Sequence, residues 1–209
     1  MPKTNPMIHR NGKAGPRSAG YTMLELLVVL GIVGVLAVIA APSFQDSIRR
    51  NGRDSAMLDL MSSLALARSE AITQSRVVAI CRSTDSAACA ASTGSDWDDG
   101  WIVFTDSGTK GVVTAGDTLL QVYGPGNDQA KVLLKTRLNG NFTGDYLRFD
   151  ADGFLENSST GAWFKFCDQA NVQLNARAVL LSNTGRPAMS ADQPDGIHHD
   201  LAGANLTCP

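Results

Sequence analysis

From Ala19 to Phe44 the chain reads AGYTMLELLVVLGIVGVLAVIAAPSF, an apolar run carrying one charge, Glu25. As a helix, residues 21–41 would extend about 31 Å, which matches a hydrocarbon core of about 30 Å. Ahead of the run lie Lys3, Arg10, Lys13 and Arg17 and no acidic residue. By the positive-inside tendency these charges stay cytoplasmic and the C-terminal bulk crosses the inner membrane, as a single pass into the periplasm.

The order of basic leader and apolar run matches an export signal only superficially. A secretory cleavage site follows the apolar region, whereas here the run continues through VIAAPSF into a polar helical pattern, and the small residue, Gly20, precedes it. Glu25 is the second anomaly. A charged side chain costs about 2.5 to 3.5 kcal/mol near a bilayer centre, less near a helix start, and usually marks a partner.

The stretch GYTMLELLVVLGIVGVLAVIAAPSF resembles the class III signal of type IV pilins and type II secretion pseudopilins. That resemblance implies cleavage between Gly20 and Tyr21 by a prepilin peptidase, and N-methylation of Tyr21. The family usually has Phe where this chain has Tyr21. The α-amino group released, with a reference pKa of about 7.7 to 8, is positive enough at neutral pH to pair with a carboxylate. In a helical filament Glu25 would meet the Tyr21 amine of a neighbouring subunit and set register. Pro42 stands where pilins commonly carry a helix-bending proline, and its missing N–H would kink or loosen the helix near Val38.

Beyond Pro42, Met57, Leu60, Met61, Leu64, Ala71 and Ile72 recur at helical spacing, the pattern of one buried stripe. One long helix is expected from about residue 21 to about 74, with a bend near Asn51 and Gly52. Candidate strands cover residues 77–81, 101–105, 118–123, 131–138, 146–149, 163–167 and 176–181, most of them separated by turn signals such as Asp99-Gly100, Asn139-Gly140, Asp152-Gly153 and Thr184-Gly185. The expected class is α+β: a long N-terminal helix packed on an antiparallel β-sheet or β-sandwich. The divisions are a leader (1–20), a transmembrane and assembly helix (21–42), an amphipathic helix (43–76) and a β-rich body (77–209).

WDDGWIVFTD, from Trp97 to Asp106, is similar to the WxxGWxVFxD segment of the GspH/FimT/FimU group, and LRFDADGFL and LLSNTGRP resemble its later strands and turns. The two tryptophans read as core and turn packing. Cys81, Cys89, Cys167 and Cys208 all lie beyond the apolar run, where an oxidising compartment favours disulfides. Three connectivities are possible; Cys81–Cys89 closing a short loop and Cys167–Cys208 pinning the tail is the favoured one.

Catalytic readings find no support: P-loop, nucleophile elbow and HExxH patterns are all missing, so the chain reads as a non-enzyme with no cofactor. DADG, from Asp150 to Gly153, lacks the distal ligands of a calcium loop and reads as a turn. ADQPDGIHHD, from Ala191 to Asp200, reads as a solvated surface loop rather than a metal site. Without the leader's four basic residues, 14 basic residues face 20 acidic ones, a formal charge of −6. That balance argues against nucleic acid. The DNA-receptor branch of the family carries a basic GRxR motif; here Gly185-Arg186-Pro187-Ala188 keeps one arginine, so Arg186 is the one candidate DNA contact.

The resemblance implies a minor type IV pilin that primes assembly and sits at or near the pilus tip. The alternatives are a GspH-like pseudopilin of a type II secretion system and a FimT-like DNA-binding minor pilin. Implied partners are other minor pilins, the major pilin, prepilin peptidase and the inner-membrane assembly platform; the implied final location is the fimbrium at the cell surface.

Overall fold

The structure, a computed structural model, describes residues 20–90, 97, 99–124, 137–139, 146–156, 161–167, 176–191 and 197–206, without the side chains of 39–43, 45–46, 49 and 137–139. Helix α1 spans Met23–Gln74. The chain divides into two compact units, Met1–Phe44 and Gln45–Pro209.

In the first unit every described side chain from Tyr21 to Val38 is exposed, Val29 by 50% and Tyr21 by 85%. Among the described residues no helix is long and apolar enough to cross a membrane. The described side chains of the apolar run end at Val38, and the span expected for residues 21–41 runs past them. The side chain of Pro42, with its expected kink, also lies outside the described residues.

In the second unit the helix carries a narrow buried stripe of Arg53, Met57, Leu60, Leu64, Ala67 and Ala71, alternating steps of four and three. Such spacing keeps one edge of a 3.6-residue helix facing inward. Ile72 does not join it. It is 41% exposed, because it sits one residue around the helix from Ala71, beyond the edge of the stripe. Asn51 and Gly52 do not interrupt the helix, whose span is continuous through both.

Among the described residues the body is built on two four-stranded antiparallel sheets. The first has the order β3-β2-β1-β5, with β1 Val78–Arg82, β2 Trp101–Thr105, β3 Leu119–Tyr123 and β5 Tyr146–Phe149. The second has the order β4-β6-β7-β8, with β4 Arg137–Asn139, β6 Ala162–Phe166, β7 Arg177–Leu181 and β8 Pro187–Met189. Seven of these meet an expected segment; β8 does not. Residues 131–136 of the fourth expected strand lie outside the described ones.

One core joins the helix stripe to both sheets: Val78, Ile80, Trp101, Val103, Leu147 and Phe149 from the first, Ala162, Phe164, Phe166, Val179 and Leu181 from the second. Trp97 meets Phe164 edge-on at 5.0 Å, and Trp101 stacks on Tyr123 at 3.9 Å. The Trp101 indole N–H donates to Ser63 Oγ at 2.9 Å, tying β2 to the helix. Both tryptophans are therefore packing residues, as expected.

Strands β1 and β2 are buried on both faces. Their other face, Ala79, Cys81, Ile102 and Phe104, packs against Cys89, Val113 and Tyr146. This explains why AIC and WIVF read as continuous apolar runs without alternation. The covering loop is closed by Asp117, whose carboxylate accepts from Ser107 N and Oγ at 2.8 and 2.7 Å and from Thr114 N and Oγ1 at 2.7 and 2.6 Å. Gly111 in that loop adopts φ 69°, and a Cβ there would come within 2.3 Å of the Tyr146 ring. Only glycine fits both demands.

Leu64→Ala should lower stability by about 2 to 5 kcal/mol, whereas Ile72→Ala should cost about 1 kcal/mol or less. Urea denaturation of the two variants checks the contrast. Burial alone would raise the Asp117 pKa, but the Thr114 and Ser107 hydrogen bonds outweigh it and hold the group at about 2, against 3.8 ordinarily. A depressed folded-state pKa stabilises the fold above the unfolded value, and that stability is lost as pH falls through the folded value. Between about pH 4 and pH 2 the native chain should therefore lose stability that Asp117→Asn has already lost, so the variant's acid dependence is shallower in thermal melts.

Candidate functional site

At the start of α1, Thr22 Oγ1 accepts from the Glu25 backbone N–H at 3.2 Å, and the Thr22 carbonyl accepts from Leu26 N at 3.2 Å. Thr22 is thus the N-cap and Glu25 the third helical residue. Thr-x-x-Glu is the signature of a capping box, a signal present in the sequence alongside the processing motif. Glu25 stands in the first turn, where the positive end of the helix dipole favours a carboxylate. Gly20 and Tyr21 precede the helix and are exposed, and no described residue stands within 4 Å of where a Cβ on Gly20 would lie.

The disulfide Cys81–Cys89 is present, with its Cα atoms 5.6 Å apart. It ties the end of β1 to a loop organised by Asp85. That carboxylate accepts from Ala88 N at 2.8 Å, Ala87 N at 2.9 Å and Ser83 Oγ at 3.1 Å. Hydrogen bonds from Ala88 and Ala87 hold the exposed Asp85 below the ordinary carboxylate value. Cys167 is buried and disulfide-bonded; Cys208, its expected partner, lies outside the described residues.

A chain of charges runs from the interior to the surface beside β5. Arg148 Nε donates to Asp106 Oδ2 at 2.7 Å, and Gly111 N donates to the same oxygen at 2.8 Å. Arg148 also pairs with Glu156, which is reached from the outside by Lys110 at 2.8 Å. The Lys110 hydrogen bond is the main cause that lowers the Glu156 pKa; burial opposes it and Arg148 adds to it. Asp106 ends the WDDGWIVFTD segment, so its carboxylate anchors β2 to β5 rather than serving chemistry. Arg148→Ala would leave a fully buried carboxylate without its cation and should cost about 3 to 5 kcal/mol. Lys110→Ala, at a side chain 64% exposed, should cost less than about 1 kcal/mol by the same denaturation measurement.

The DADG segment is a turn. Asp150 Oδ1 accepts from Asp152 N at 3.0 Å and Phe154 N at 2.8 Å, which commits it to backbone donors. The expectation of a solvated loop at residues 191–200 needs correction at one residue, His198, which is 4% exposed. Its Nδ1 lies 2.8 Å from Ser190 Oγ and 2.9 Å from Ser190 O, and Leu206 N donates to its carbonyl at 2.8 Å. Leu206 packs on Ala176 and Ala178, which holds the C-terminal hairpin on the second sheet. Residues 192–196 lie outside the described ones. Among the described residues, no group of three or more His, Cys, Asp or Glu could hold a metal ion.

Arg186 is exposed at the mouth of the tight β7–β8 turn, where Ser182 N donates to its carbonyl at 3.3 Å. Ala188, which replaces the second arginine of the GRxR pattern, pairs with Leu180 across the β7–β8 ladder and faces solvent. Arg186 shares a cavity of about 210 Å³ with Ala65, Arg68, Ser69, Ile72, Thr73 and Pro187.

Residues 56–185 match the model of the family described as type II transport protein GspH, and residues 15–41 match the prokaryotic N-terminal methylation motif. The fimbrial protein of Moraxella nonliquefaciens is 52% identical over 31 residues, 15% of this chain and 20% of its own. The type II secretion system core protein G of Pectobacterium carotovorum subsp. carotovorum is 37% identical over 51 residues, 24% of this chain and 33% of its own. The chain thus spans between a fifth and a third of the length of these curated relatives. In fold it is similar to a crystal structure of the type IV minor pilin FimU of Pseudomonas aeruginosa, at 23% identity and a TM-score of 0.52, covering 77% of this chain and 97% of that one. With the family model spanning most of the helix stripe and the body up to Gly185, and the methylation motif covering Gly20 to Glu25, the chain belongs to the GspH family of minor pilins and pseudopilins.

Proposed function

We propose that the chain is a minor type IV pilin, a non-catalytic subunit that primes pilus assembly and enters the filament at or near its tip. The observation that carries this reading is the pairing of an N-terminal methylation motif with a fully exposed apolar helical segment, on a chain whose body folds like FimU. An apolar surface exposed on every side requires lipid or other subunits to cover it. In this reading residues 21–41 first span the inner membrane once, with the body in the periplasm. The segment then slides into a filament core formed with neighbouring pilins, and the body faces outward toward them.

Processing after Gly20 would free an amine on Tyr21, one residue before the Thr22 cap. The amine of one subunit and the Glu25 carboxylate of its neighbour supply opposite charges in an apolar surrounding, where a mispaired charge is costly. Apolar contacts would supply cohesion and the charge pair would supply register. The Cys81–Cys89 bridge of the body suits the periplasm, an oxidising compartment in which such a bond persists.

A second reading, a minor pseudopilin of a type II secretion system, is supported by the family description and by the likeness to core protein G. Deletion of the gene separates the two: loss of surface pili with intact secretion supports the first, and loss of secretion with intact pili supports the second. For the anchor, Glu25→Ala should leave leader cleavage intact and reduce the subunit in sheared filaments by about tenfold or more, as a lost pair of roughly 1.4 kcal/mol would do. Immunoblots of membrane and filament fractions read both steps; normal filament entry by the variant would sink the register role.

A further inference from the structure

The cavity shared by Arg68 and Arg186 lies between α1 and the β7–β8 turn. Arg68, on α1, directs its Nε–H to two carbonyls, Gly153 O at 3.2 Å and Thr184 O at 3.1 Å. These belong to the turn after β5 and the turn after β7, so one side chain bolts both turns to the helix. The close approach of those turns needs Gly185. Its φ is 74°, and a Cβ there would come within 2.2 Å of Gly153 O and 3.1 Å of the Phe149 ring. The guanidinium of Arg68 is thereby fixed through Nε, leaving its terminal nitrogens without a hydrogen-bond partner among the described residues. Arg186 rises from the same turn, exposed.

Among the described residues neither arginine forms an ion pair and no carboxylate lines the cavity. The neighbouring acid on the helix, Glu70, accepts from Gln74. The remaining walls combine the hydroxyl residues Ser69 and Thr73 with the apolar Ala65, Ile72 and Pro187, and Ile72 is 41% exposed. A preoriented arginine fork next to a second arginine is complementary to a planar carboxylate. The exposed isoleucine beside it accommodates an apolar side chain.

We propose that this cavity is a docking site for a protein segment bearing an aspartate or glutamate next to an aliphatic residue, supplied by another protein. A nucleic acid is the poorer match on physical grounds. Two cations line the cavity, its volume of about 210 Å³ holds one or two side chains, and the chain beyond the leader carries 20 acidic residues against 14 basic ones. A polyanion needs a basic track extending over several phosphates, whereas a single carboxylate needs only the fork. The cavity belongs to the body and is the same whichever filament the chain serves.

The test uses the full chain in detergent micelles and fluorescence polarisation with three labelled probes: a short peptide with a Leu-Asp-Leu-Asp core, its Leu-Asn-Leu-Asn counterpart, and a single-stranded DNA of about 12 nucleotides, long enough to cover a typical single-strand site. The acidic peptide should bind below about 1 mM, more weakly as salt rises, and the Asn peptide about tenfold more weakly or not at all. Arg186→Gln, an exposed substitution that should leave the fold intact by circular dichroism, should weaken the acidic peptide about tenfold. Arg186→Lys should recover part of that loss. Equal binding of the two peptides, no binding of the acidic peptide up to about 1 mM, indifference to Arg186→Gln, or tighter binding of the DNA at the same site would each overturn the proposal.

Discussion

The body depends on the burial of one narrow helix edge, from Arg53 to Ala71, between two antiparallel sheets. Neither sheet closes on itself, and each presents an apolar inner face that packs against this edge. Leu60, Leu64, Ala67 and Ala71 are all fully buried along that edge. Polar tethers then fix the orientation that apolar packing leaves loose: Ser63 to the Trp101 indole, and Arg68 to two turn carbonyls.

Around that core, carboxylates organise the loops. Asp85, Asp117 and Asp150 each accept from two or more donors on neighbouring residues, holding loops that contain little apolar material of their own. Asp106 works in the interior, where Arg148 supplies its counter-charge. Two of these carboxylates, Asp85 and Asp117, are held below the ordinary carboxylate value by the hydrogen bonds they accept, so their charged form is stabilised where it stands.

Much of the fold is legible in the sequence because its strands are short apolar segments ended by turn signals, as in Trp101–Thr105 and Tyr146–Phe149, where the expected and observed bounds coincide. Strand β8 is not, since Pro187-Ala188-Met189 carries neither β-branched residues nor alternation and pairs only because the Ser182–Arg186 turn folds it back on β7. Periodicity places Ile72 inward, yet a step of one residue around a helix separates core from surface, a distinction that spacing alone resolves poorly. The burial of His198 is hidden for a different reason: its ring meets Ser190 and its carbonyl accepts from Leu206 N, contacts that no local pattern encodes. At the N-terminus the motif residues are evident, and the capping bond between Thr22 and Glu25 adds a local, helix-starting role at a residue whose lone charge points first to a partner.

The position of β1 has a mechanical consequence. It is the first strand after the long helix and lies inside its sheet, hydrogen-bonded to β2 on one side and β5 on the other. A tension that overcame the packing and tethers of the helix would reach the sheet at Val78 and act along β1. Strands pulled lengthwise between two ladders must break those hydrogen bonds together, in shear, and cannot peel away one at a time. Past Arg82 the Cys81–Cys89 bridge would stop the loop from lengthening. A load applied along β1 is thus shared across three strands, β2, β1 and β5, instead of falling on one.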